Sequence, residues 1–145
     1  MPKDDRMDEA EVHRLLARAL TLQCRAALLH AIAAGSVGGA AGLNATDLLA
    51  EFAALEIADV QRLSDKLVAL GGVVPGDMLD LPALGSDLND VIEAIVTAED
   101  ETIAALHEVI EPSGQEPRSE ALEHLLEHVI TRKQAQVDRR RRALR

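Results

Sequence analysis

One predicted helix of this chain carries two acidic residues on its buried side. Between Leu49 and Leu70, apolar residues recur at the three- and four-residue spacing of a buried helical stripe, and that stripe passes through Glu56 and Asp59. Burying an ionised carboxylate without a partner costs roughly several kcal/mol, which approaches the whole stability of a small domain. A proton, a cationic side chain or a metal ion must therefore neutralise these two carboxylates.

The composition favours an all-α fold. Alanine and leucine dominate the apolar residues, and the chain lacks the alternating β-branched or aromatic runs that are typical of strands. A chain of 145 residues can bury a core as one domain, so we predict a single domain over residues 1–145. Apolar periodicity, caps, glycines and prolines place four helices at about residues 8–34, 46–70, 87–111 and 117–143.

Short polar and glycine-containing segments mark the predicted ends of the helices. The glycine-rich stretch at residues 35–39 is expected to be a flexible loop, because the Lys-Ser/Thr of a phosphate-binding loop does not follow it. Helix starts and stops are predicted from cap residues and prolines: Asn44, Thr46 and Asp47 before the second helix, Ser86 before the third, Pro112 after the third and Pro117 in the first turn of the fourth.

The connection between the second and third helices decides the topology. Residues 72–85 contain two prolines and should be extended or turned. At about 3.3 Å per residue, such a segment can span a helix of about 38 Å. The second and third helices can then run parallel, which gives a four-helix bundle with one long crossover; an up-and-down bundle with a slack loop is the alternative.

Every predicted helix interrupts its apolar stripe with polar residues near its middle. Helix centres lie at one level in a bundle, so these side chains should meet in one buried layer. The predicted polar cluster contains Gln23, Glu56, Asp59, Glu99, Lys133 and Gln136. His30 lies on the inner line of the first helix and is either a further ligand or a hydrogen-bonded core histidine.

This order of helices and polar positions resembles the bacterioferritin and ferritin-like superfamily. The resemblance covers about residues 8–143 and includes the second helix ending from Arg62-Leu63 through Leu70-Gly71-Gly72, and the polar pair three apart in the last helix. In that family the four helices offer glutamates and two Glu-x-x-His pairs that bind two irons. The resemblance therefore implies a ferritin-like bundle with a site in its core.

The chain departs from the di-iron pattern at most positions. Glu56 and Glu99 match expected glutamates. The remaining positions differ from the pattern: Gln23 and Lys133 stand where glutamates are expected, and Asp59 and Gln136 where histidines are expected. The resemblance also implies no haem, since Ile57 stands where bacterioferritin would supply an axial methionine.

Two functional readings follow from these departures. In the first, Lys133 pairs with the acids in place of a metal ion, and the protein is a non-catalytic structural or interaction module without a cofactor. In the second, Glu56, Asp59 and Glu99 bind one divalent ion (Fe, Mn, Mg or Ca), and the protein stores or oxidises iron as a ferroxidase-like oxidoreductase. Three acids against one certain cation predict a raised carboxylate pKa or a further cation, for which Arg25 is a candidate.

Charge and cysteine content limit the partners. The formal net charge is −10, and only one Phe and no Trp or Tyr can stack on bases, so we expect no nucleic-acid partner. The single Cys24 excludes an internal disulfide, and charges break every long apolar segment, so we expect a cytoplasmic protein without a membrane span. Helix faces are expected to pair copies of the chain into a dimer or larger homo-oligomer.

Overall fold

The fold is a bundle of four long helices. The computed structural model describes residues 5–76 and 79–143. The helices are α1 (Glu9–Ser36), α2 (Gly39–Ala69), α3 (Leu88–Ser113) and α4 (Pro117–Ala143), and the described residues form no strand. The predicted all-α class and ferritin-like bundle are confirmed.

Helix α2 begins earlier than the predicted Thr46. Two residues, Val37 and Gly38, suffice to reverse the chain, and the helix starts at Gly39, whose φ is +73°. A side chain at Gly42 would lie 3.1 Å from the Val37 backbone, so glycine lets the first turn of α2 close onto the reversal. Thr46 lies inside the helix, where its hydroxyl donates to the Gly42 carbonyl at 3.2 Å. The expected loop at residues 35–39 is thus mostly helical.

The ends of α3 also differ slightly from the prediction. The carboxylate of Asp87, rather than the hydroxyl of Ser86, caps the helix by accepting a hydrogen bond from the Asp90 N–H at 3.1 Å. At the other end, Pro112 lies inside the last turn instead of stopping the helix before it. Gly114, with φ +72° and ψ −155°, ends the helix by adopting a conformation that is open to glycine.

Backbone contacts at the helix ends establish the directions of the helices. The His13 ring on α1 donates to the Leu70 carbonyl at the end of α2, so α1 and α2 are antiparallel. The Asp8 N–H, before α1, donates to the Pro112 carbonyl near the end of α3 at 2.9 Å. The Gly38 N–H donates to the Ser86 carbonyl at 2.9 Å, which places the starts of α2 and α3 together. Helices α2 and α3 therefore run parallel, and the segment joining them crosses the length of the bundle.

Two apolar clusters form the core on either side of the helix centres. The larger joins α1, α3 and α4 to the later half of α2 and includes Leu16, Leu63 and Leu126. The smaller lies beside the reversal between α1 and α2 and includes Val37 and Leu49. The fully buried polar residues of the helix centres occur, along each helix, between positions that belong to these clusters.

The apolar character of α1 reflects its place in the core. Among the described residues, α1 is the one helix with the length and mean hydropathy that a membrane span would need. Half of the residues in its most apolar 18-residue stretch are buried inside the bundle, where α1 packs against both α2 and α3. Its inner face also carries the polar residues Gln23 and His30.

Two glycine-to-alanine substitutions should have opposite effects on stability. A side chain at Gly114 would lie 2.7 Å from the Arg6 carbonyl oxygen and would be held at a positive φ. Gly114→Ala should therefore lower the free energy of unfolding by about 2–3 kcal/mol. Gly35→Ala is the matched control: it lies in the last turn of α1 with no atom near its new side chain, and it should raise stability by up to about 1 kcal/mol. Urea denaturation measures both, and equal effects would contradict the proposed strain at Gly114.

Candidate functional site

The four helices bring polar side chains together in one buried layer. Each contributing residue lies on the face of its helix that carries the apolar stripe, so the packing that buries the leucines also removes these polar groups from water. The layer is formed by Gln23 on α1, Glu56 on α2, Glu99 on α3 and Lys133 on α4, and none of these four residues has exposed surface.

The Lys133 ammonium lies between two glutamates. Its Nζ donates to Glu56 Oε2 at 2.7 Å and to the two carboxylate oxygens of Glu99 at 3.0 and 3.1 Å. Three helices are thus joined through one nitrogen atom. Because all three side chains are fully buried, these are charge-assisted hydrogen bonds with little screening by solvent.

Gln23 on α1 forms hydrogen bonds with Glu56 on the neighbouring helix α2. Its amide nitrogen donates to the Glu56 backbone carbonyl at 3.0 Å and also to Glu56 Oε2. Oε2 therefore accepts from both the amide and the ammonium. The other oxygen, Glu56 Oε1, is buried without a hydrogen bond and lies 3.6 Å from a terminal nitrogen of Arg132.

Asp59 belongs to a separate ion-pair group beside this layer. Its Oδ2 accepts from two nitrogens of Arg132, with Nε at 2.9 Å, and its Oδ1 accepts from Arg62 at 2.8 Å. Asp59 is fully buried, whereas the side chain of Arg62 is half exposed. The carboxylate that the sequence suggested as a metal ligand is thus neutralised by two guanidinium groups.

His30 is buried as a neutral imidazole. Its Nδ1 donates to the Ala26 carbonyl at 2.7 Å, because a carbonyl can only accept, and this leaves Nε2 as the basic nitrogen. Nε2 is buried without a partner. Burial, together with the Arg140 and Lys133 charges, lowers the pKa of His30 to about 4, although Glu56 and the Ala26 carbonyl oppose that shift.

The pKa values of the two glutamates of the layer are shifted in opposite directions. Burial raises the pKa of Glu99, and the neighbouring Glu56 charge adds to that effect, while Lys133 only partly offsets it. Burial also acts to raise the pKa of Glu56, but the Lys133 charge and the hydrogen bonds from Glu99 and Lys133 outweigh it, so the net pKa lies below the usual value. The pair therefore tends to hold one proton, on Glu99.

Two arginines supply the cations that sequence reasoning left unplaced. Arg132 pairs with Asp59, and Arg140 is buried nearby with its guanidinium 4.7 Å from the centre of the Phe52 ring. Arg25, the suggested candidate, instead pairs with Glu101 at the surface. Arg140 lies seven residues after Lys133, about two helical turns further along the same face, so helical spacing alone places it toward the core. Arg132 precedes Lys133 by one residue, lies beside that face and reaches inward through the length of its side chain.

Gln136 is buried but stands apart from the glutamates. Its side chain is 5% exposed, its Oε1 accepts no hydrogen bond, and it lines an apolar cavity between α2, α3 and α4. The predicted cluster thus divides into three parts. One is the layer of Gln23, Glu56, Glu99 and Lys133 with His30 beside it; the others are the Asp59 ion pairs and the Gln136 cavity.

The side chains that could hold a metal ion are His30, Glu56 and Glu99. One ligand atom from each lies within 4.8 Å of the others, and all three residues are buried. An imidazole nitrogen and two carboxylates suit one divalent transition-metal ion, but they are fewer than the ligands of a di-iron centre. The Lys133 ammonium occupies hydrogen-bonding positions on both carboxylates, so these residues do not fit a di-iron centre in this arrangement.

Comparisons with known proteins agree with this architecture. The sequence model of the ferritin-like domain matches residues 13–144. The chain belongs to the ferritin-like family. A crystal structure described as ferritin like, diiron-carboxylate proteins from Bacillus anthracis str. Ames is similar over the full length of both chains, with a TM-score of 0.86 and 20% sequence identity. No curated protein matches at a significant level.

The opposed pKa shifts predict opposite pH responses in two variants of this ferritin-like protein. Because the pKa of His30 is lowered by folding, its contribution to stability is present above about pH 6.5 and is lost as the pH falls through about 4. Because the pKa of Glu99 is raised by folding, its contribution to stability is present at low pH and is lost as the pH rises. In Glu99→Gln the histidine dominates, so the free energy of unfolding should fall by up to about 3 kcal/mol from pH 7 to pH 4.

In His30→Gln the raised Glu99 pKa remains, so stability should increase as the pH falls from about 7 to about 4.5. The groups facing these residues are Glu56 on α2 and Lys133 and Arg140 on α4, and neither variant removes them. Urea denaturation across this pH range measures both slopes. Slopes of the same sign in the two variants would contradict the assigned protonation states.

Proposed function

We propose that this ferritin-like protein has lost the di-iron site and is a non-catalytic structural or interaction module, in which the Lys133 ammonium replaces a metal ion. The observation that carries the proposal is the contact of Lys133 Nζ with both Glu56 and Glu99, at 2.7 to 3.1 Å. An ammonium supplies positive charge and hydrogen-bond donors to both carboxylates without any bound ion.

A metal ion would have to compete with this ammonium. Lys133 is fully buried, so an ion that took over the carboxylates would leave a displaced charge inside the core or force it to lose a proton. The proton that Glu99 tends to hold would also have to leave before both glutamates could act as ligands. Both steps weaken metal binding at neutral pH.

The alternative is a metal-binding member of the family that stores or oxidises iron. Its support is that His30 Nε2 and Glu56 Oε1 are both buried without partners and lie with Glu99 in one compact group. A divalent ion bound there would satisfy both orphaned atoms. His30 replaces Asp59 in this alternative, because Arg62 and Arg132 already pair with Asp59.

Metal content and ferrous-iron oxidation distinguish the two functions. Protein purified without chelator should contain far less than one metal ion per chain by elemental analysis, and added ferrous iron should oxidise no faster than in buffer. Stoichiometric iron with turnover would overturn the proposal. Iron bound at one per chain without turnover would support the alternative as a binding site only, and would equally contradict a metal-free core.

Charge reversal at Lys133 tests the role of the ammonium directly. Lys133→Glu leaves three buried carboxyl groups without a cation between them, so the metal-free variant should lose about 3–5 kcal/mol of stability. It also adds a ligand, so Mn²⁺ or Fe²⁺ should raise the melting temperature of the variant and not that of the wild type. Arg142→Glu, a charge reversal at an exposed site of the same helix, is the control and should change stability by less than about 1 kcal/mol.

Unchanged stability of metal-free Lys133→Glu would contradict a buried ammonium. If the variant is too unstable to purify, Lys133→Met serves instead. Methionine nearly preserves the side-chain volume but removes the charge, so the pKa values of Glu56 and Glu99 should rise. The variant should therefore become more stable as the pH falls. No change in the pH dependence would count against the proposal.

The interaction role rests on an uneven distribution of exposed apolar side chains. The large exposed hydrophobic residues of the described chain all belong to α1, α2 and the segment that follows α2: Leu28, Ile32, Leu43, Leu48, Leu55, Ile57, Val68, Val73 and Val74. Helices α3 and α4 expose none within the described residues. Clustered exposed apolar side chains mark interaction surfaces, so we propose that α1 and α2 pair copies of this chain in the cytoplasm.

Introducing charge on these helices should weaken self-association. Wild-type protein should sediment as a dimer or larger assembly at micromolar concentration. Leu28→Glu and Ile57→Glu, tested separately, should each weaken association at least tenfold, because a carboxylate would have to be buried at the interface. The control is His128→Glu, on the exposed side of α4. A monomeric wild type, or equal effects of the control, would contradict this interface.

A further inference from the structure

A small apolar cavity opens between α2, α3 and α4, at the end of the bundle where α2 and α3 begin. Its volume is about 170 Å³. The walls are mainly apolar, and the polar groups among them come from α4. The lining residues are Ala45, Leu48, Leu49, Phe52, Leu88, Ile92, Gln136, Arg139 and Arg140.

Arg140 brings an unsatisfied positive charge to this cavity. The residue is only 7% exposed, and its two terminal nitrogens are buried without a hydrogen-bond partner. Burial lowers the pKa of Arg140, and Glu99 and Glu56 act against that shift, but a guanidinium remains ionised at any ordinary pH. Stacking of the guanidinium over the Phe52 ring at 4.7 Å offsets part of the free-energy cost of burying its charge. It does not replace the hydrogen bonds that the terminal nitrogens would make with water.

The neighbouring cations already have their anions. Lys133 contacts Glu56 and Glu99, and Arg132 contacts Asp59, whereas Arg140 has no carboxylate within 4 Å among the described residues. Buried arginines normally bind carboxylate or phosphate groups through two parallel hydrogen bonds. Among the described residues, no acid of this core lies within salt-bridge distance of Arg140, so an anion that pairs with its guanidinium here comes from outside the described chain.

We propose that this cavity binds a compact apolar monocarboxylate, of about the size of benzoate or hexanoate. In the bound state the Arg140 guanidinium turns toward the ligand, so that its terminal nitrogens, which are covered in this structure, pair with the carboxylate. The hydrocarbon part contacts Leu49, Phe52 and Ile92. The volume sets the size, because a dry apolar cavity of about 150 Å³ holds one benzene molecule. The apolar walls disfavour phosphate or sulfate, which would lose their hydration on every side.

The exposed Arg139 at the rim adds positive charge at the entrance and would attract an anion into it. This site is distinct from the layer of Glu56, Glu99 and Lys133, and its test does not depend on whether that layer binds metal.

Calorimetric titration of the full-length protein with hexanoate, benzoate and hexanol tests the proposal. Each acid should bind saturably at one site per chain, and hexanol should bind at least tenfold more weakly because it cannot pair with the guanidinium. Arg140→Gln should weaken binding of the acids at least tenfold. Arg142→Gln, which removes an exposed guanidinium from the same helix outside the cavity, should leave the affinity unchanged.

A second variant keeps the proposal testable if Arg140→Gln fails to fold. Ala45→Leu fills part of the cavity without changing a charge, and it should abolish binding of both acids while far-ultraviolet circular dichroism stays as in the wild type. Three results would overturn the proposal: no saturable binding of either acid to the wild type, affinity for hexanol equal to that for hexanoate, or displacement of the acids by sulfate at similar concentration.

Discussion

The ion pairs of Lys133 with Glu56 and Glu99 determine what the centre of this bundle can be. A buried charge is tolerated only when its partners are held in hydrogen-bonding geometry, and here those partners come from α2 and α3 while the ammonium comes from α4. Replacing such a pair by apolar residues is often neutral or stabilising, so its presence is weak support for extra stability. What it does impose is register: sliding one helix by a turn, about 5.4 Å, would separate the charges.

The remaining charges of the core follow from this first pairing. Burial and the neighbouring Glu56 charge raise the pKa of Glu99, so this glutamate tends to keep a proton. Burial and the Arg140 charge lower the pKa of His30, so the imidazole stays neutral. Lys133 contacts Glu56 and Glu99, and Asp59 forms its ion pairs with Arg132 and Arg62 instead. Arg140 is the cation left over, buried beside Phe52 with unpaired donors. With Glu99 protonated, the buried carboxylates of Glu56 and Asp59 face three cations, those of Lys133, Arg132 and Arg140, so the core carries a positive excess. Among the described residues, His30 Nε2 and the terminal nitrogens of Arg140 are buried without hydrogen-bond partners.

Helical periodicity predicted much of this arrangement, and it did so for a geometric reason. A 3.6-residue repeat determines both the face and the depth of a side chain, so Gln23, Glu56, Glu99 and Lys133 could be placed in one layer without coordinates. Two kinds of information were missing. The reach of a long side chain is not periodic, which is why Arg132 was overlooked and Arg25 was suggested. The start of α2 depends on the tight reversal at Val37 and Gly38, where Gly42 lies close to Val37, and this local packing outweighs the cap residues Asn44 and Thr46.

The same reasoning explains why the fold of this family does not settle the function of this member. The structure similar at a TM-score of 0.86 shares 20% of its residues with this chain, and apolar positions tolerate that divergence because leucine, isoleucine, valine and alanine can repack at nearly constant volume. A polar layer has no such freedom. An ammonium and a divalent ion can both neutralise carboxylates in the middle of a bundle, but they differ in charge, in ligand number and in whether they can leave. A lysine is covalently attached, so under the proposed function a core built around Lys133 folds without binding a metal ion, at the cost of the open coordination positions that metal chemistry needs.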